Sequence, residues 1–308
     1  MTTSEVTLSD GRILAYIDYD PPAALGEEGH VSAEPVLFYC HGFPGSRIEG
    51  DFLVSAAQRH GARLISIDRP GMGLSTFQPN RTLLDWPQDV LQLADHLHID
   101  GFYIIGASGG APYVFACVKA LPKSRLLGAC VVAGAYPISL GMGGMAWPNR
   151  ILLWTASSKW FGWITGMLMD LDFGSVARDR QNPERLTKVL VRAMKAKPEP
   201  DAKCVDSEWV TAKLVQALHE SYRQPGDGVN LDIKLIAGDW GFDLATLDTE
   251  GFSICLWHGG RDVNVPVAMA RKAAGMIKGA KLKVLENEAH LSISLNAQDQ
   301  ILEDLLSR

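Results

Sequence analysis

Hydrophobic positions along the chain follow two rhythms. Residues 6–9 and 13–19 alternate apolar and polar around Asp10-Gly11, a pair favoured where a tight turn needs positive φ, and predict a hairpin. Short apolar runs follow at 36–40, 64–67, 102–105 and 127–132. Between them, 48–59, 83–97 and 112–121 carry helical spacing, the last stopped by Pro122. Strands rich in β-branched residues alternating with helices predict a parallel sheet covered on both faces. The rhythm resumes near the end, with strands at 253–257 and 282–285, a helix at 267–277 opened by Pro266, and a helix at 291–306.

Residues 137–251 break this alternation. Amphipathic stretches at 184–195 and 208–222 stop near Pro198 and Pro225-Gly226, as helices do, and no strand pattern intervenes. The region also holds Trp147, Trp154, Trp160, Trp163, Trp209 and Trp240, with Met142, Met145, Met167 and Met169. It reads as a helical insertion, 137–251, in a core made of 1–136 and 252–308.

Charge and composition narrow the function. With 29 basic against 35 acidic residues the formal charge is −6, so no global field draws the protein to nucleic acid or anionic lipid. Five widely separated cysteines, Cys40, Cys117, Cys130, Cys204 and Cys255, form neither a disulfide framework nor a metal spacing. The stretch from Met1 to Arg12 lacks a basic and then apolar leader, so no secretory signal is expected. Residues 126–149 are uncharged and long enough to span a bilayer, but Pro137 and five glycines suit a buried strand followed by a loop. The expectation is a soluble, cytoplasmic protein without a membrane span.

One motif carries chemistry in its context. Gly106-Ala107-Ser108-Gly109-Gly110 follows a predicted strand and precedes a predicted helix, the setting in which G-x-S-x-G exposes a nucleophilic serine on a strained turn. A serine hydroxyl needs a base, and in this setting the partners follow in the order Ser, Asp or Glu, His. His290 lies past the strand 282–285, and Asp262 lies past the strand 253–257 in His258-Gly259-Gly260-Arg261-Asp262. Both fall at carboxyl ends of predicted parallel strands, where open α/β sheets place their sites. Asp262 would otherwise be a loop carboxylate capping the next helix. The Gly109 N–H, directly after the serine, is one candidate oxyanion donor. The loop His41-Gly42-Phe43-Pro44-Gly45 offers the other, Phe43, since proline has no N–H; a plain tight turn is the alternative for this loop. His41 and Arg47 suit structural roles there.

Taken together, His41-Gly42-Phe43-Pro44-Gly45, Asp68-Arg69-Pro70-Gly71-Met72-Gly73-Leu74-Ser75, the elbow 106–110, 258–262 with Val265-Pro266, and Ala289-His290 resemble the α/β-hydrolase fold superfamily over nearly the whole chain. The resemblance implies an α/β fold, a mostly parallel eight-stranded sheet with helices on both faces and a helical cap inserted after the sixth strand. It does not fix the reaction, because the fold hosts several chemistries.

A cap rich in Trp and Met is either the packed core of a small lid or the wall of an apolar pocket, and in the second reading Trp147, Trp154, Met142 and Met145 are the candidate wall. The expected substrate is a medium-sized apolar ester, thioester or lactone, cleaved through an acyl-enzyme without cofactor or metal. Carbon–carbon bond hydrolysis, lyase or cyclase chemistry with the same triad, and a non-catalytic ligand-binding relative are the alternatives; a homodimer is left open. The basic set Arg178, Arg180, Arg185, Lys188, Arg192, Lys195 and Lys197 reads as a solvated helix face. Replacing 137–251 by a linker is expected to leave Ser108, Asp262 and His290 in place.

Overall fold

The computed structural model describes residues 2–19, 34–158 and 160–307; the side chains of Trp163 and Asp172 lie outside the described set. Its eight strands are β1 (Thr3–Thr7), β2 (Ile13–Asp18), β3 (Val36–Cys40), β4 (Arg63–Ile67), β5 (Phe102–Ala107), β6 (Leu126–Val132), β7 (Ser253–Gly259) and β8 (Lys281–Leu285). They form one sheet in the order β1-β2-β4-β3-β5-β6-β7-β8. β2 pairs antiparallel with β1 and β4, and every other neighbour is parallel.

Period-two alternation sends successive side chains to opposite faces. Phe38, Cys40, Ile104, Val131 and Leu256 face a core closed by α2 (Trp86–His96), α3 (Ala111–Ala120) and α11 (Val267–Met276). Leu37, Tyr39, Ile105, Val132 and Trp257 face the other side, closed by α1 (Val54–Arg59), α12 (Ser292–Asn296) and α13 (Gln298–Leu306). Three predicted helices are divided, and 83–97 opens with a 3-10 turn at Leu83–Asp85. The stretch 48–59 opens with a 3-10 turn, Arg47–Phe52, and 291–306 breaks where Ala297 leaves helical geometry at φ −108°, ψ 13°. The uncharged stretch 126–149 becomes β6, a loop and the start of a helix. Among the described residues no helix is long and apolar enough to cross a membrane.

Between β6 and β7 lie α4 (Trp147–Ser157), α5 (Gly162–Met169), a π-helical stretch Asp170–Gly174, α6 (Ser175–Arg178), α7 (Pro183–Lys195), α8 (Glu199–Cys204), α9 (Glu208–Ser221) and α10 (Asp227–Ala237). Most of this layer has its own core, in which Met169, Leu186, Leu190, Val215, Leu218 and Tyr222 meet Met72. Its C-terminal part differs: Ile236, Trp240, Leu244 and Leu247 join the core beneath α3, with Trp240 stacked on Phe115 at 6.0 Å.

Asp232 on α10 makes the strongest tie. Its carboxylate accepts from Arg69 Nε at 3.1 Å and Nη2 at 2.8 Å, from Arg81 Nη2 at 2.9 Å, and from the Tyr113 hydroxyl. Arg69 and Asp232 are wholly buried and Arg81 nearly so. Burial alone would raise the Asp232 pKa, but the two guanidiniums hold it down at about 2. The same Arg69 donates to the His41 and Gly42 carbonyls, which fixes the loop after β3. A linker in place of 137–251 would therefore strip two buried arginines of their carboxylate and loosen the loop after β3, which bears on the expectation that such a replacement leaves the site in place.

Removing one partner from a buried ion pair leaves uncompensated charge. Asp232→Ala is expected to lose about 3–5 kcal/mol of stability in denaturant unfolding at neutral pH. Because the folded pKa is depressed, this contribution is complete above the ordinary carboxylate range and is lost as pH falls through about 2.

Candidate active site

At the end of β5 the chain turns through Ser108, whose φ is +48°, a left-handed value rare for a residue with a side chain. The turn is possible because its flanks carry no Cβ. A Cβ on Gly106 would fall 2.6 Å from Val114 Cγ2, and one on Gly110 would fall 2.2 Å from the Cys40 carbonyl oxygen. Ser108 thus stands at the carboxyl end of the central strand β5 and opens a 3-10 turn, Ser108–Gly110, that leads into α3.

Asp262 and His290 arrive on the loops after β7 and β8. A Cβ on Gly259 would lie 2.4 Å from the Ala289 carbonyl, and one on Gly260 would lie 2.8 Å from Glu286 Cα, so bare backbone lets the two loops touch. Amide bonds from Gly260 to the Leu285 carbonyl and from Arg261 to the Glu288 carbonyl, both 2.9 Å, lock them. His290 Nδ1 lies 2.7 Å from Asp262 Oδ2, and Nε2 lies 2.8 Å from Ser108 Oγ. An ionised carboxylate only accepts, so Nδ1 carries the proton and Nε2 is free to accept from the hydroxyl.

Electrostatics favour this arrangement. Burial would raise the Asp262 pKa, but the His290 imidazole and then His258 hold it well below the carboxylate range. Its Oδ1 accepts from the Asn264 and Val265 amides at 2.8 and 2.9 Å. For His290 burial lowers the pKa, the Asp262 carboxylate raises it by more, and the net direction is up. His258 is a different case: its Nε2 donates to the Val265 carbonyl at 2.7 Å and lies 3.3 Å from Asp262 Oδ2, so it buttresses the acid without reaching Ser108. His41 is buried and structural. Burial and then the Arg69 charge push its pKa well down, its Nδ1 donates to the Gly42 carbonyl and its Nε2 accepts from the Arg69 amide.

The two candidate oxyanion donors are adjacent: a side chain built on Gly109 would sit 3.1 Å from the Phe43 nitrogen. The Gly109 amide lies in the first turn of a 3-10 helix, where amides lack partners within the helix.

A cavity of about 680 Å³ opens above Ser108 and His290. Phe43, Ile105 and Ile236 contribute to its floor, and Leu152, Met194 and Leu214 to its roof. None of Trp147, Trp154, Met142 and Met145 lines it. Trp147 and Trp154 are 69% and 53% exposed on the outer face of α4, while Pro148, Leu152 and Leu153 on its inner face form the wall. Met145 is buried and Met142 half-buried in the core under the sheet; of the methionines singled out in the sequence, Met169 reaches the cavity. Both faces of α4 are apolar, so aromatic content alone picked the wrong one.

Two carboxylates escaped the sequence reading. Glu49, on the 3-10 turn after β3, lines the cavity and accepts from the Gly42 amide at 2.7 Å. Asp201, on α8, lines it from the other side and accepts from the amides of His290, Leu291 and Ser292. No local motif marks either: Asp201 acts on a loop 90 residues away, and Glu49 reaches back seven residues to Gly42. The basic set is mostly solvated, with Arg185 paired to Asp179 and Lys195 to Asp206, but Lys197 turns inward and donates to Asn264 Oδ1 at 2.6 Å.

Comparison with known proteins places the chain. A profile of the α/β-hydrolase fold family matches residues 35–297, and the chain belongs to that family. It is 28% identical over 134 residues to a bifunctional esterase/perhydrolase of Acinetobacter calcoaceticus and 32% identical over 134 residues to a non-heme chloroperoxidase of Streptomyces lividans. Each match takes in 43% of this chain and 45% of the relative, so the chain spans less than half the length of these curated relatives. Among solved structures it is similar to a hydrolase from Pseudomonas aeruginosa, with a TM-score of 0.67, 18% identity, and coverage of 100% of this chain and 99% of that one. An enol-lactonase from Burkholderia xenovorans gives 0.64 at 17% identity, covering 99% and 100% of the two chains.

Burial pushes the Glu49 carboxyl up to about 7, against the opposing pull of the Gly42 amide and Arg69. A raised folded pKa means that the proton is held more tightly in the folded state, so this group's contribution is complete below 4.5 and lost as pH rises through about 7. Glu49→Gln keeps an oxygen for the Gly42 amide and carries no charge. Its melting temperature is expected to exceed that of the wild type at pH values above 7 and to lose that advantage at acid pH, as read by calorimetry across pH.

Proposed function

We propose that this protein is a serine hydrolase that cleaves a medium-sized apolar ester, thioester or lactone. The observation that carries the reading is the continuous hydrogen-bonded chain Asp262–His290–Ser108 at the base of a largely apolar cavity. In this reading the Ser108 hydroxyl gives its proton to His290 Nε2 as Oγ bonds to the substrate carbonyl carbon. Asp262 keeps the imidazole in the right tautomer and stabilises the imidazolium. The Phe43 and Gly109 amides take the oxyanion. Collapse of the intermediate breaks the bond to the leaving group, which takes the proton from His290; a water deprotonated by the same nitrogen then releases the acid and restores Ser108.

The substrate class follows from the cavity. Its volume falls within the roughly 300–1,000 Å³ of small-molecule sites, and its roof and floor are mainly aliphatic. The helical layer between β6 and β7 acts as the cap, with α4, α7 and α9 over the serine and the part from Asp232 onward serving the core. The esterase activity named for the Acinetobacter relative is in keeping with this reading.

Ser108→Ala is expected to fold as the wild type, to lose labelling by a fluorophosphonate, and to lose turnover of p-nitrophenyl esters by about 10⁶-fold, the effect of removing the nucleophile from such a triad. Wild-type protein that neither labels nor hydrolyses any short- or medium-chain ester would overturn the assignment. Because the neutral imidazole is the base and its pKa is raised, kcat/KM should rise with pH along a limb whose midpoint lies above 6.5, the ordinary histidine value. Asp262→Asn removes the largest cause of that rise, so its residual activity should show the limb at lower pH.

A further inference from the structure

The serine, its base and its acid all sit on strand-end loops of the sheet, yet two of those loops are held from the opposite side. Asp201 comes from α8, in the helical layer, and is 1% exposed. Its Oδ1 accepts from the Leu291 amide at 2.8 Å and the Ser292 amide at 3.0 Å, and its Oδ2 accepts from the His290 amide at 3.2 Å. Three consecutive amides beginning at His290 thus converge on one carboxylate. The loop of Asp262 is held in parallel: Lys197 and Asn149 donate to Asn264 Oδ1 at 2.6 and 3.2 Å, and the Ala146 amide donates to the Val263 carbonyl at 2.8 Å.

We propose that Asp201 is a positioning residue for His290, and that seating of the segment from Lys197 to Asp201 on the two strand-end loops sets the geometry between His290, Asp262 and Ser108. The inference rests on the serine-hydrolase reading for its catalytic consequence, but not for its structural one. Without Asp201 the turn into α12 is left with three inward amides and no acceptor, and the loop shifts to find water. A misplacement of roughly 1 Å in a reacting group costs on the order of 10²-fold in rate. The same segment supplies Lys197 and Asp201 to the cavity wall, so the part of the layer that meets substrate is also the part that braces the base.

Among the described residues, four titratable groups face His290: Asp262 from the loop after β7, Lys197 from the turn before α8, Asp201 from α8, and Glu49 from the turn after β3. Asp201 raises its pKa and Lys197 lowers it. Asp201→Asn keeps the shape, retains one oxygen for Leu291 and Ser292, and sets an NH₂ against the His290 amide. It is expected to lower kcat roughly 10- to 100-fold with KM little changed, and to move both the ascending limb of kcat/KM and the His290 ring titration, followed by NMR, to lower pH. Lys197→Gln should move both to higher pH, an opposite sign that simple loss of packing does not produce. Asp206→Asn, at an exposed pair with Lys195, serves as the control and should leave all three unchanged.

The ring titration needs no turnover, which separates this inference from the functional one. A wild type unreactive to fluorophosphonate would sink the serine mechanism, yet the two NMR shifts would still report on Asp201. An unchanged kcat and an unshifted titration in Asp201→Asn would overturn the positioning role, as would a fall in kcat with no titration shift of either sign. Should Asp201→Asn fail to fold, the inference stands or falls on the direction of the Lys197→Gln shift alone.

Discussion

A single carboxylate, that of Asp232, is the constraint on which most of this molecule depends. Two arginines cannot be buried side by side without compensation, since each would carry an uncompensated charge into a low-dielectric interior. Asp232 neutralises both and also takes the Tyr113 hydroxyl, joining the loop after β4, the first turn of α3 and the middle of α10. With Arg69 so fixed, its remaining donors reach the carbonyls of His41 and Gly42, and the loop that follows is set for Phe43. A second cluster works alongside it. Asp68 accepts from the Arg47 amide and guanidinium, and Arg47 reaches Glu220 on α9 at 3.1 Å. The stretch Asp68-Arg69-Pro70-Gly71 is therefore a junction, in which adjacent residues of opposite charge bind two different helices of the overlying layer to one side of the sheet.

The loop fixed by that junction presses on the turn that holds Ser108 in a strained conformation. Ser108 at φ +48° costs energy that the surroundings must supply. They do so with Val114, the Cys40 carbonyl and Phe43 pressed against the glycines of the turn, which leaves no room for relaxation. The opposite side of the site is held by different means. Bare backbone at Gly259 and Gly260 brings two loops into hydrogen-bonded contact, and Asp201 holds the one that carries His290 from above. Rigid packing positions the serine, whereas a network of charge-assisted bonds positions the histidine.

What the sequence disclosed follows the same division. Features that depend on local backbone geometry were legible: the strand periods, the glycines of the elbow, the order of Ser108, Asp262 and His290, and their places at strand ends. Residues that act across long sequence separations were not. Asp201 and Asp232 are acids among 35, and nothing near either marks which loop or arginine it will meet. The unusual His258-Gly259-Gly260 run did carry a hint, since paired glycines after a strand signal a close backbone approach. The Trp-rich insertion misled for a related reason. Composition flagged apolar surface, but Trp147, Ile151 and Trp154 lie outward on α4 at helical spacing, and the smaller residues between them face the cavity.

α4 therefore does two jobs that can vary independently. Pro148, Leu152 and Leu153 shape the roof of the cavity, and none of them contacts the loop of Asp262 through a hydrogen bond. Asn149, between them, makes the bond to Asn264. Further along the roles meet: Met194 and Leu214 are wall alone, whereas Lys197 and Asp201 line the cavity and also brace the loops. Substitutions that enlarge or narrow the cavity can thus accumulate at wall positions without loosening the histidine, because an apolar side chain trades volume at modest cost while a charge-assisted bond has no substitute of the same length and direction. A layer built this way can change what it admits while keeping the geometry beneath it, provided the wall positions and the brace positions are not altered together.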